Sequence, residues 1–206
     1  FGAIGNWALD NDGIVFGAAF TEDFRNAHHT KAQNKDELLK LCKSKYFQSS
    51  TEMVYSDVKE ALATNKKVVF SGCSCQVDAL RRYLKKDYEN LLTIDIICHG
   101  VVSPKAYQLF MDEFFGDVDS PIKTVDFRSK DIGWACNIFA EAEDGTKRID
   151  TFKGSYFSAF LWGYSQRKAC FSCKYARPER CSDITIGDFW GIDDLDPEMR
   201  SEEHTS

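Results

Sequence analysis

The chain has 206 residues, of which 43% are hydrophobic, and this is enough for one well-packed domain. Its formal net charge is -6 at pH 7 and no face is dense in Lys and Arg, which argues against nucleic acid or an anionic membrane as the main partner. No apolar run approaches the roughly 20 residues of a membrane-spanning helix, so we expect no membrane span.

The chain contains eight cysteines, which could form four disulfides in a secreted protein. A chain with a large core does not need such cross-links, so we expect free thiols and a cytoplasmic location. The sequence starts at Phe1, without an initial Met and in the middle of a helical pattern. Residues 200–206 resemble a translated sequencing adapter. We therefore expect a fragment truncated at both ends, with one domain over residues 1–192 and a non-native tail over 200–206.

The first elements alternate between helical and strand patterns. Apolar residues at Ile4, Trp7 and Ala8 indicate a short helix before a buried strand over 14–20. The polar stretch 21–32 carries two adjacent histidines and is predicted to be a solvated loop.

Two helices are predicted next, joined by a polar and aromatic loop. Asn34 and Glu37 have the spacing of a capping box, and a second helix is predicted to end near Asn65. The loop between the helices contains Ser44, Lys45 and Tyr46. It is either a contact for a phosphate or isoalloxazine or a plain connector.

A β-α-β unit follows, with strands predicted over 67–72 and 91–98 and a helix over 76–86. Parallel strands joined in this way end at the same edge of a sheet, so Cys75 and Cys98 should meet in one crevice. Cys75 also opens the helix, where the helix dipole favours a thiolate over a thiol.

The remaining elements complete an α/β pattern. Ser103-Pro104 predicts a helix start, three strands are predicted over 122–127, 136–143 and 148–152, and an aromatic helix is predicted over 155–164. The expected fold is a mixed, partly parallel sheet flanked by helices, with a Cys-rich loop near the C-terminus.

A Cys-x-x-Cys pair, Cys170 and Cys173, lies in that loop. Zinc, an iron–sulfur cluster, a redox dithiol and a disulfide all use such a pair. The positions of the other cysteines are therefore needed to distinguish these four kinds of site. Together with Cys75 and Cys98 the pair gives four thiolates from separate segments, which suit a cubane cluster and zinc equally well. Nearby spare thiols able to replace a ligand are Cys73 and Cys181, whereas Cys136 is expected to pack inside a strand.

The cations Arg128 and Lys130 follow the first of the three predicted strands. They are either anchors for a flavin's phosphates or solvated charges.

Four motifs, at 71–77, 95–100, 170–173 and 182–191, are together similar to the coenzyme F420 hydrogenase/dehydrogenase beta-subunit family. The resemblance runs in order over nearly the whole chain. It implies an oxidoreductase subunit that relays electrons between a [4Fe-4S] cluster, FAD and a two-electron carrier such as coenzyme F420. A structural zinc-binding module that docks partners without redox activity is the alternative.

The resemblance also implies site residues and partners. The cluster ligands carry over onto the four thiols already selected. The residues it suggests for the cofactor site are Ser44, Lys45, Tyr46, Gly72, Gln76, Arg128, Lys130, Gly187 and Asp188. Asp188 would relay a proton or orient the flavin, no amino-acid nucleophile is expected, and the redox partner would be a hydrogenase, a dehydrogenase or a ferredoxin.

The sequence departs from the family pattern in two ways. Family members usually have Thr-Pro where this chain has Cys73-Ser74, which places an extra thiol beside the predicted ligands. The N-terminal ferredoxin-like segment, the serine/glycine-rich flavin loop and the C-terminal continuation of the family are also expected to be missing from this fragment.

Overall fold

A computed structural model describes residues 1–129, 137–151 and 153–188. The elements are α1 (Gly2–Asp10), β1 (Ile14–Phe20), β2 (Ala27–Ala32), α2 (Lys35–Leu41), α3 (Val54–Ala63), β3 (Val68–Cys73), α4 (Ser74–Leu84), β4 (Leu91–Ile96), α5 (Pro104–Phe115), β5 (Ile122–Asp126), β6 (Ile138–Ala142), β7 (Lys147–Asp150), α6 (Ser155–Leu161), a 3-10 helix (Lys168–Ser172) and β8 (Ile184–Ile186). Lys130, Cys136 and the tail over 200–206 lie outside the described residues.

The main sheet has five strands in the order β2-β1-β3-β4-β8. The strands β1, β3, β4 and β8 are parallel, and β2 is an antiparallel strand at one edge. Apolar side chains cover both faces and form one cluster with α3 and α4 and another with α1 and α2. The predicted α/β class and the mixed sheet are confirmed.

A second sheet, β5-β6-β7, is antiparallel and separate from the first. It packs with α5 and α6 around aromatic side chains, among which Phe47 stacks on Tyr107 with ring centroids 3.9 Å apart. The strand patterns predicted these three strands and their hairpin, but not their separation from the main sheet. The separation depends on an aromatic core assembled from distant segments, which strand periodicity does not reveal.

The expectation of a solvated loop over 21–32 is wrong for its second half. Residues Ala27–Ala32 form β2, which pairs with β1 in the register Ala18↔His29. A search for alternating apolar residues does not identify this strand, because one of its inward positions is His29. Only 8% of the surface of His29 is exposed. Hydrogen bonds to this imidazole replace the usual apolar contacts.

The helix ends follow the predicted capping residues. Asn34 accepts a hydrogen bond from the Glu37 amide at 2.9 Å, and Ser103 accepts one from the Ala106 amide at 3.2 Å. The helix α4 begins two residues earlier than predicted, because Cys73 is its N-cap and the Cys73 amide donates to Gln76 Oε1 at 2.9 Å. In the part of the chain that is described, each helix is too short or too polar to cross a bilayer.

Candidate metal centre and cofactor site

The four predicted ligand cysteines come to one end of the main sheet. Cys75 lies in the first turn of α4, directly after β3, and Cys98 lies two residues beyond the end of β4. The strands pair in parallel with Cys73 opposite Ile96, so their ends share an edge, as the crossover predicted. Cys170 lies in the 3-10 helix and Cys173 directly follows it. We call these four cysteines the thiol site.

Electrostatic contacts join these thiols across the three segments. The pKa of Cys75 is raised, first by burial and then by Cys98, Cys173 and Cys170, whose negative charges oppose a further thiolate. The helix N-terminus predicted the opposite direction for Cys75, and here burial and neighbouring sulfurs outweigh the helix dipole. Thiols in such a group lose their protons together only when a cation joins them.

Cys73 is a fifth thiol within the same group. It donates a hydrogen bond to the sulfur of Cys98, which raises the pKa of Cys73 and lowers that of Cys98. The sulfur of Cys98 also lies 3.7 Å from the carbonyl oxygen of Gly100. Cys73 is therefore adjacent to a predicted ligand, whereas the Cys181 thiol donates to the Ser74 carbonyl at 3.3 Å on the α4 side.

The thiol chemistry of the donor set is compatible with both a cluster and a single zinc ion. Among the described residues, no three His, Cys, Asp or Glu side chains have the geometry that one metal ion needs. A cubane takes one thiolate at each of four irons, whereas a structural zinc takes four ligands around one ion. All seven cysteines in the described ranges are free thiols, so none of them is withheld by a disulfide.

The loop that carries Cys170 and Cys173 is held to the sheet by its continuation, β8. Asp183 Oδ2 accepts hydrogen bonds from the Thr93 amide at 2.7 Å and from Thr93 Oγ1 at 2.6 Å. Arg81 Nη2 donates to Asp183 Oδ1 at 2.8 Å. The aspartate of the Ser182-Asp183 motif thus docks β8 on β4, and its role is structural.

Two of the residues suggested for flavin contacts, Arg128 and Asp188, lie in a chain of charges. Lys43 Nζ lies 2.7 Å from Asp126 Oδ2, and Asp126 Oδ1 accepts the Arg128 amide at 2.9 Å. The Arg128 guanidinium pairs with the carboxylate of Asp188. We call these four residues the ionic chain; Arg128 and Asp188 were predicted for the cofactor site, and Lys43 and Asp126 were not.

Lys45 and Tyr46 lie beside the ionic chain and are anchored to protein atoms. Lys45 Nζ donates to the carbonyl oxygens of Cys42 at 2.8 Å and Lys43 at 3.1 Å. Burial lowers the pKa of Lys45 to about 8. The Tyr46 ring packs edge-on against Phe157 and Phe160, and Ser44 is exposed.

Gly72 and Gln76 lie in a buried hydrogen-bond network at the base of the thiol site. Gln76 Nε2 donates to Ser49 Oγ at 3.1 Å, and Ser49 in turn contacts His29 Nδ1 at 3.0 Å. His29 Nε2 donates to the Ser71 carbonyl at 3.0 Å. A Cβ on Gly72 would lie 3.2 Å from His29 Nε2, so the glycine allows this close approach. The sequence missed the network because its members come from four segments.

The segment after β8 links the two candidate sites. A Cβ on Gly187 would lie 2.7 Å from Ile97 Cδ1, so the backbone here packs directly against the residue that precedes Cys98. The next residue, Asp188, pairs with Arg128. The segment directly after β8 thus contacts both the residue next to Cys98 and the ionic chain.

Two open cavities lie elsewhere in the fold. One of about 500 Å³ is lined by α5, β7 and the start of α6, including Phe110 and Arg148. The other, of about 230 Å³, lies between the β1–β2 turn and the end of α5. Neither is lined by the residues predicted for the cofactor site.

Comparison with known families gives a match to the model for the C terminus of the beta subunit of coenzyme F420 hydrogenase/dehydrogenase, over residues 65–206. This range covers more than half of the chain and includes every segment of the thiol site. The chain belongs to this family. The coenzyme F420 hydrogenase/dehydrogenase beta-subunit family is one of oxidoreductases, in agreement with the resemblance found in the sequence motifs.

Solved structures show the same fold. A chain of the F420-reducing [NiFe] hydrogenase complex from Methanosarcina barkeri aligns with a TM-score of 0.55 at 17% sequence identity. The alignment covers 84% of this chain and 57% of the hydrogenase chain. A search of curated proteins gives no significant match.

Proposed function

We propose that this chain is the electron-transfer part of an oxidoreductase subunit, in which Cys75, Cys98, Cys170 and Cys173 hold a [4Fe-4S] cluster and FAD binds beside the ionic chain. When bound, the cluster supplies one-electron transfer, and FAD couples it to a two-electron carrier such as coenzyme F420 or a related acceptor. The observation that carries the proposal is the convergence of four thiols from three segments at one sheet edge.

The chain's own residues hold these thiols in place. The crossover from β3 to β4 supplies Cys75 and Cys98, and the pairing of β8 with β4 brings the Cys170–Cys173 loop to the same edge. Because burial and the neighbouring thiols raise the pKa of Cys75, metal binding must release protons and will strengthen as the pH rises.

The ionic chain supports a flavin site only after rearrangement. Arg128 is the natural anchor for a phosphate because its planar guanidinium binds two oxygens at once, but it is paired with Asp188 here. A phosphate would have to displace Asp188, which would then be free to orient the flavin or move a proton. Lys45 lies near Asp126 and Lys43 and adds positive charge from a largely desolvated ammonium.

We also propose a redox partner subunit and a cytoplasmic location. The similar hydrogenase chain belongs to a multi-subunit complex, which supports a hydrogenase, a dehydrogenase or a ferredoxin as the partner. The described cysteines are all free thiols, and thiols persist in reducing compartments.

The proposal is tested by the iron, acid-labile sulfide, zinc and flavin content of anaerobically prepared protein, together with its visible spectrum. We expect about four irons and four sulfides per chain, and a broad absorption band near roughly 400 nm. Cys98→Ser should remove the band. Cys42→Ser is the matched control, because Cys42 lies at the end of α2, outside the thiol site.

Two results would contradict the proposal in different ways. Stoichiometric zinc without sulfide, retained in a colourless protein, would assign the thiol site to a structural zinc module. A full cluster without FAD, even when FAD is added in excess, would keep the cluster assignment and remove the flavin from this chain.

A further inference from the structure

A buried carboxylate lies directly behind the thiol site. Asp95 lies in β4 between the apolar residues Ile94 and Ile96, and it has no exposed surface although it is an acid. Its Oδ2 accepts a hydrogen bond from Ser74 Oγ at 2.5 Å and forms an ion pair with Arg180 Nη2 at 2.8 Å. A carboxylate buried in a sheet is retained only when such partners compensate for its lost hydration.

The hydrogen bonds keep this carboxylate charged. Burial raises the pKa of Asp95, but the nearby hydroxyl groups of Ser74, Thr185 and Ser182 and the Arg180 guanidinium outweigh burial and leave the pKa below its usual value. The pair is therefore a permanent ion pair near neutral pH, and it does not act by exchanging protons.

Arg180 binds several groups besides Asp95. Nη2 also donates to Ser74 Oγ at 2.6 Å and to the Ile96 carbonyl at 3.1 Å, while Nη1 donates to the Tyr175 carbonyl at 3.1 Å. Only 19% of its side chain is exposed. A single guanidinium thus contacts α4, the end of β4 and the loop that carries Cys170 and Cys173, which we call the cysteine loop.

Each of these partners belongs to a segment that carries a thiol of the site. Ser74 directly precedes Cys75, Ile96 lies two residues before Cys98, and Tyr175 lies two residues after Cys173. Arg180 is therefore placed both to fix the spacing of the segments and to bring a positive charge to the site.

We propose that Arg180, paired with Asp95, is a positioning residue that docks the cysteine loop on the sheet before any metal binds, and that its charge raises the reduction potential of the bound cluster. The docking role follows from the contacts alone, and the effect on potential rests on the proposed function. A nearby cation favours the reduced, more negative state of a cluster.

The docking role is tested on metal-free protein by hydrogen exchange of residues 168–186. Arg180→Gln combined with Asp95→Asn avoids an unpaired buried charge and keeps hydrogen-bonding groups in place. Loss of the charge-assisted bonds should speed exchange in this segment about tenfold, while exchange in β5–β7 stays unchanged. Arg25→Gln is the matched control, because Arg25 pairs with Asp112 away from the thiol site. Unchanged exchange in 168–186 would overturn the docking role, whether or not the protein binds a cluster.

The electrostatic role is tested by redox titration of cluster-loaded variants with equal iron content. Arg180→Lys keeps the charge and loses the planar fork, so its potential should stay close to that of the wild type. Arg180→Gln with Asp95 retained removes the positive charge alone, so it should shift to a more negative potential. Equal potentials in the Lys and Gln variants would overturn the electrostatic role.

Discussion

The thiol site and the ionic chain both adjoin the segment directly after β8, yet they differ in how their charges are balanced. In the ionic chain each cation faces a carboxylate of the protein, as Lys43 faces Asp126 and Arg128 faces Asp188. In the thiol site, partial burial and the neighbouring sulfurs of Cys98, Cys173 and Cys170 oppose the ionisation of Cys75. A group of acids whose ionisation is opposed stays protonated until a cation binds, whereas a chain of paired charges is complete without a ligand.

The largest expected effect separates Cys75 from its neighbour Cys73. We expect Cys75→Ser to reduce iron to background, because Cys75 is in electrostatic contact with three other predicted ligands. Cys73→Ser should retain the iron, because the Cys73 thiol acts through its hydrogen bond to Cys98. The measurement is the iron and sulfide content of both variants, prepared side by side under anaerobic conditions.

The opposite result would be informative. Iron lost from Cys73→Ser and kept in Cys75→Ser would make Cys73 the ligand from this segment, and the departure from the Thr-Pro pattern would then be a change in ligation.

The second prediction concerns the buried network beneath the thiol site. Burial lowers the pKa of His29 to about 4, so the folded protein resists protonation that the unfolded chain accepts below roughly 6.5. The unfolded state then binds more protons between these two values, and the free energy of unfolding falls as the pH falls through this window. The loss approaches about 3 kcal/mol at its lower end.

Urea unfolding of the metal-free protein at several pH values between 7.5 and 4 measures this loss. His29→Gln cannot titrate, so the difference in stability between the wild type and this variant should shrink or change sign as the pH falls. A constant difference across the window would show that His29 is protonated in the folded state as readily as in the unfolded state.

The smallest effect is expected in the ionic chain. Arg128 and Asp188 are partly exposed, with 22% and 35% of their side chains accessible, so their pair should contribute less than about 1 kcal/mol to the free energy of unfolding. Arg128→Met should therefore leave thermal stability almost unchanged. If FAD uses this anchor, the same variant should weaken FAD binding, measured by quenching of flavin fluorescence.

Lys123→Met is the matched control for the flavin measurement, because Lys123 pairs with Glu141 between β5 and β6, outside the ionic chain. Equal FAD binding by the wild type and Arg128→Met would remove Arg128 from the flavin site. A large loss of stability in Arg128→Met would instead show that the ionic chain holds the fold together.

Local sequence signals were sufficient for most elements and for half of the thiol site. Alternating apolar patterns and the capping residues Asn34 and Ser103 located helices and strands, because these signals depend on neighbours a few residues apart. The crossover rule then brought Cys75 and Cys98 together, since parallel strands joined by a helix share an edge. The strand β2 escaped because hydrogen bonds, and not apolar contacts, satisfy His29.

The sequence alone determined the fold class, the crossover at the thiol site and, through its motifs, the family. Only the tertiary structure decided which distant charges meet. It paired Arg180 with Asp95 and Arg128 with Asp188, and placed Cys73 against Cys98. The reason is physical, since periodicity and capping are set by local backbone geometry. An ion pair between residues 60 or more positions apart depends on how the β8 segment docks on the sheet.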